Sequence, residues 1–190
     1  MRVWAGVAAA VCLFAAGIGA AQDVVGVAKR VRGAAELLAA QGRDKLLAPG
    51  DRIRQNDIVK TGVNGSALLQ LADATVFTVG ANAEIKIDRF VYDPAQATQS
   101  FAQATILQGA LRFISGQIAK ENPGGLQIAT PVGTIGVRGT IAAVEAGNGA
   151  TTIILLDPQN APPGGALVIQ TAAGEARLSQ PGEGLILREG

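Results

Sequence analysis

The stretch SALLQLADATVFTVGANAEIKIDRF, Ser66 to Phe90, decides the fold class. In SALLQLA the apolar residues Ala67, Leu69 and Leu71 fall on alternate positions. In AEIKIDRF, Ile85 and Ile87 alternate with Glu84, Lys86 and Asp88. A period of two is the signature of a half-buried strand, because successive side chains leave a strand on opposite faces. Working outward, Asn64-Gly65 separates DIVKTG from SALLQL, and Asn148-Gly149 separates IAAVEAG from ATTIILL. Asn-Gly tolerates the positive φ angles of tight hairpin turns, so both are read as hairpins. Gly164-Gly165, Ala173-Gly174 and QPGEG mark further turns, and APPGG at 161–165 reads as a loop. The pattern predicts one all-β domain, a single antiparallel β-sandwich or β-roll of roughly a dozen short strands. GAAELLAAQ (33–41) and PAQATQSFAQA (94–104) resist this reading, being rich in the helix formers Ala, Glu and Gln.

The first residues have another character. Val3 to Ala21 carry no charge, follow Arg2 and end in small residues, the pattern of a secretory signal peptide with cleavage after Ala21. The mature domain is then 22–190, expected in the periplasm or secreted, with no stable membrane insertion after cleavage. Cys12 is the single cysteine and falls inside this segment, preceded by Val11 rather than the small residue lipidation needs. An exported domain without disulfides must rely on its own core. Losing Arg2 from 16 basic residues leaves them balanced by the 15 acidic ones, so nothing global draws the protein to nucleic acid. One local imbalance stands out: Lys29, Arg30, Arg32, Arg43, Lys45, Arg52, Arg54 and Lys60 against four acids in the same span. Solvated strand faces are the plain reading, and an anionic partner is the alternative.

Catalytic parts are missing. There is no histidine, which removes the usual general base and the commonest neutral metal ligand. Ser66 lacks a G-x-S-x-G setting, and no S-x-x-K occurs. The carboxylate pairs Asp88/Asp93, Asp51/Asp57 and Glu145/Asp157 sit near turns or outward strand positions and read as solvated or turn-capping groups. Phe90, Tyr92, Phe101 and Phe113 are read as core rather than a sugar platform. No catalytic residue, metal ligand or cofactor is therefore expected, and the protein is read as not an enzyme.

Four motifs in order carry a resemblance. LLAPGDRIRQNDIVKTGVNGSALLQLADATVFTVGANAEIKID places Gly50-Asp51 before the Thr61-Gly62 turn and an acidic turn at Asp73. FVYDP, LQGALRFISGQ with its G-x-L-x-F, and IATPVGTIGVRGT follow. The chain resembles the FecR domain family, the periplasmic module of iron-dicitrate-type signalling, over about Val24 to Asp157. The resemblance implies a non-enzymatic all-β domain and resolves both ambiguous stretches toward strand. It also places Ala74 where the family generally has glycine after the turn acid. If that turn needs positive φ, alanine there costs about 1 kcal/mol. In the family's regulators an anti-sigma segment and a membrane helix precede the domain. Here an export segment stands in that place, which implies an exported module that binds an envelope protein partner, for signal sensing or as a scaffold. The alternative is a binding module for cell-wall polysaccharide or an anionic ligand.

Arg138, Gly139 and Thr140 form the candidate signature, with no acid nearer to Arg138 than Glu145. Gly136 and Gly139 flank Val137-Arg138, which suggests a bulge or a close backbone approach. If Val137 enters the core, Arg138 points outward or into a groove lined by another segment. Two roles are open for Arg138: clamping backbone carbonyls or a carboxylate where the chain bends, or anchoring an interface.

Overall fold

The alternation in Ser66–Leu71 turns Ala67, Leu69 and Leu71 inward, while Ser66, Leu68 and Gln70 stay partly exposed. The computed structural model describes residues 24–156 and 165–189, so 1–23, where the export segment is expected, 157–164 and 190 lie outside the described residues. Sixteen strands form among them. The first eight are β1 Val24–Arg32, β2 Ala35–Leu38, β3 Lys45–Leu46, β4 Arg52–Arg54, β5 Ile58–Thr61, β6 Ser66–Leu71, β7 Val76–Val79 and β8 Glu84–Val91. The others are β9 Phe101–Ile114, β10 Leu126–Thr130, β11 Gly133–Arg138, β12 Ile141–Gly147, β13 Ala150–Leu156, β14 Ala166–Thr171, β15 Gly174–Leu178 and β16 Gly184–Arg188. A five-residue helix, α1 Gln117–Glu121, joins β9 to β10. The fold is all-β, as expected.

The strands make two sheets that share β9. One runs β4-β1-β6-β7-β9-β12-β13-β16; the other runs β3-β2-β5-β8-β9-β10-β11-β14-β15. Inward side chains of both enter one hydrophobic cluster that includes Leu69, Phe77, Ile85, Ile106, Phe113, Ile135 and Ile169. Phe77 and Phe113 face each other across β7 and β9, both fully buried. Burying each contributes about 1.5–3 kcal/mol, so this pair ties the shared strand to its sheet.

β9 changes sheets at Gly109. Before it, Ala102, Ala104 and Ile106 face inward; after it, Leu111 and Phe113 do, so the inward parity flips through Leu107–Ala110. Gly109 has φ +80, and a Cβ there would lie 2.5 Å from the Cα of Ala83. Only glycine accommodates both constraints. The ladders are antiparallel except β10 on β9, which is parallel. A parallel return needs a crossover, and α1 supplies it.

Two local expectations are corrected. Asn64-Gly65 is not a hairpin: β5 and β6 belong to different sheets, and neither residue has positive φ. Gly65 is required instead because a Cβ would lie 2.1 Å from the Ala34 carbonyl, where two sheet-crossing connections touch. Asn148-Gly149 does close a hairpin, with φ of 52 and 68. QPGEG is a turn, as expected, with Gly182 at φ 82, and it joins strands of different sheets. GAAELLAAQ becomes β2 as the resemblance implied, but Pro94–Gln99 forms a 3-10 turn broken at Gln96 before β9 begins. Among the described residues that segment has no partner strand, and a backbone without a ladder satisfies its own hydrogen bonds locally.

Candidate functional site

Period two along β11 sends Val137 into the core, fully buried, and leaves Arg138 exposed. No bulge interrupts the strand: its pairing with β10 and β14 runs in continuous register to Val137 and Arg138. The chain instead turns a corner at Gly139 (φ 51) and passes to the other sheet. Thr140 is buried in that corner. Its N–H donates to Ser115 Oγ at 2.7 Å, and its carbonyl accepts the Ser115 N–H at 3.1 Å. The expected signature thus divides. Gly139 and Thr140 shape the corner, and Ser115 does the clamping expected of a guanidinium. Among the described residues Arg138 makes no side-chain hydrogen bond or ion pair.

Arg138 lines a groove of about 310 Å³ with Gln127, Thr134, Gly136, Val168 and Gln170. Sheet register builds it: Gln127, Gly136 and Val168 form one cross-strand row, with Thr134 and Gln170 in the next. Gly136 leaves the floor without a side chain, while the amides and the hydroxyl offer both donors and acceptors. Among the described residues the lining carries no carboxylate, thiol or imidazole. It suits recognition of peptide-like polar groups, with one guanidinium at its end for a carboxylate.

The carboxylates considered from sequence are otherwise engaged. Asp51 pairs with Lys45 and accepts the Ala48 N–H, which together hold its carboxyl below the ordinary 3.8. Asp57 is buried and accepts the N–H groups of Ala40 and Arg54. Asp88 pairs with Lys86 at 3.0 Å and accepts the Thr105 hydroxyl at 2.6 Å. Asp93 accepts the Ala95 N–H; Glu145 is exposed on β12, and Asp157 lies outside the described residues. The aromatic group separates: Phe90 and Tyr92 sit 6.4 Å apart, Phe101 lies under the Arg89 guanidinium at 5.3 Å, and Phe113 is core.

Sequence reasoning missed the most connected polar group. Asp73 is fully buried and accepts the Thr75 N–H at 3.0 Å, the Thr75 hydroxyl at 2.7 Å and the Ile118 N–H at 3.3 Å. Its backbone carbonyl accepts the Gln117 N–H, and Thr75 Oγ1 accepts that of Gly116. The β6–β7 turn therefore caps α1 from a distance, satisfying donors that a helix start leaves open. D-x-T was the available signal.

A model described as FecR protein matches residues 57–158, more than half of the chain and including Asp73, Gly109 and Arg138. The chain belongs to the FecR family. FecR-type proteins are regulatory. Two crystal structures of a provisionally named anti-sigma factor from Parabacteroides distasonis share this FecR fold. They align with TM-scores of 0.52 and 0.51 at 16% and 15% identity, covering 69% of this chain and 54% of theirs. The chain thus spans about half the length of those structures. At that identity the likeness speaks to fold alone. No curated protein matches the chain. Among the described residues no helix is long and apolar enough to cross a membrane.

Proposed function

We propose that this FecR domain is a non-catalytic, exported signalling module that binds an envelope protein through the groove beside Arg138. The carrying observation is the exposed guanidinium at the end of a polar groove within the matched span. Family membership supports a regulatory role, and FecR domains are typically periplasmic. Arg138 would anchor the partner by a charge-assisted, bidentate contact, as arginine does at interfaces. The test is a photocrosslinking side chain at Gln170 in intact cells. The expected result is one discrete envelope protein captured, with capture lost in Arg138→Glu and absent for a probe at Glu145 on the other sheet. Capture unchanged by Arg138→Glu would overturn the reading.

A further inference from the structure

A second recess lies where the two sheets end. Among the described residues β3 pairs only with β2 and β4 only with β1, so each is the edge of its sheet, and the two edges meet around a pocket of about 420 Å³. Lys45 reaches it from β3, Arg52 and Arg54 from β4, and Arg43 from the loop between β2 and β3. Ile53 is fully buried between the two arginines, so alternation sends both outward together.

The charges do not cancel. Two carboxylates share the wall, and both have partners already. Asp51 holds Lys45 and the Ala48 N–H, and Asp57 holds the N–H groups of Ala40 and Arg54. Among the described residues, Arg43, Arg52 and Arg54 have no ion-pair partner. The lining sets four cations against two carboxylates, and on a chain whose formal charge is only +1 that excess is a local arrangement and not a basic surface in general. Gly42 and Gly50 form part of the rim, with open space where their side chains would be, and buried Leu37 supplies an apolar wall. Planar guanidinium forks match phosphate oxygens two at a time, and a partly apolar wall strengthens such contacts.

We propose that this pocket binds a phosphate dianion, presented either as the free ion or as a phosphomonoester lipid headgroup. The site stands apart from the Arg138 groove and does not depend on the reading given to it.

The test is an NMR titration of the purified protein with inorganic phosphate at low salt, beside flotation with phosphatidylcholine vesicles with and without phosphatidic acid. Saturable shifts at Gly42 and Gly50 identify the free ion as ligand. Flotation that requires phosphatidic acid, without saturable phosphate binding, identifies the headgroup. In either arm Arg52→Gln with Arg54→Gln should weaken binding at least about tenfold, while Lys29→Gln with Arg32→Gln changes it by less than about twofold. Arg138→Ala should leave it unchanged. Melting curves establish that each variant folds, and Arg43→Gln alone gives the same reading should the double variant fail. Shifts that rise linearly across all basic segments, or binding indifferent to Arg43, Arg52 and Arg54, would refute the site.

Discussion

At Ala74 the backbone sits at φ +67, in the left-handed region that disfavours any residue with a Cβ. The turn is held there because Asp73 and Thr75 on either side are locked into the cap of α1. Alanine at this position is thus a real strain. Ala74→Gly should stabilise the protein by about 0.5–1 kcal/mol, the relief of strain exceeding glycine's greater unfolded-state entropy. A lower melting temperature for the variant would contradict this. Arg138 goes the other way from the clamping role considered for it. Exposed and without a partner among the described residues, it contributes little to folding, so Arg138→Ala should shift stability by less than about 0.5 kcal/mol in denaturant unfolding. Asp51 gives a pH dependence with a definite sign. Its folded pKa lies below 3.8 because Lys45 and the Ala48 N–H favour the carboxylate, so the unfolded chain binds its proton more readily. Glu183, held below 4.5 by the N–H groups of Gln180 and Ser179, acts the same way. The stability they add is present above those ordinary values and is lost as pH falls through the depressed ones. Melting curves taken from pH 6 to 2 should fall at the acid end, less steeply in Asp51→Asn. An unchanged acid slope in Asp51→Asn would count against the contribution from Asp51.

At the scale of elements, the decisive strand is β9. Its sequence, FAQATILQGALRFI, shows a glycine but not the sheet change around it, because alternation reports inside and outside and is silent on which neighbour pairs. Gly109→Ala combines a forbidden φ with a backbone clash against Ala83, and should cost about 2–4 kcal/mol in chemical unfolding. A variant as stable as the parent would mean the strand can switch sheets elsewhere. GAAELLAAQ teaches the same lesson about propensity. Its Ala and Glu favour helix, yet β2 forms because pairing with β5 and β3 buries Ala35 and Leu37. Tertiary burial outweighs the few tenths of a kcal/mol per residue that separate such propensities. Asn64-Gly65 misled for a related reason: the same dipeptide serves a hairpin at 148–149 and a sheet crossing at 64–65, and only the partners of the flanking strands distinguish them.

For the whole molecule, two sheets that share a strand and a core should not come apart separately. Calorimetry is expected to give a single transition whose calorimetric and van't Hoff enthalpies agree; two resolved transitions would show that the sheets unfold as separate units. The sequence by itself determined that the chain is all-β, which residues of β6 and β8 face inward, and that Val137 and Arg138 lie on opposite faces. These follow from a period of two that any strand obeys, whatever its partner. The turn at Ala74 was legible too, through the resemblance. Only the tertiary structure decided that β9 serves both sheets, that β10 returns parallel, that Asp73 caps a helix more than forty residues away, and that Arg43, Arg52 and Arg54 line one pocket. Each of these depends on which distant segments lie side by side. That choice is made by the joint burial of a common core, whose free energy belongs to the assembled chain and to none of its segments alone.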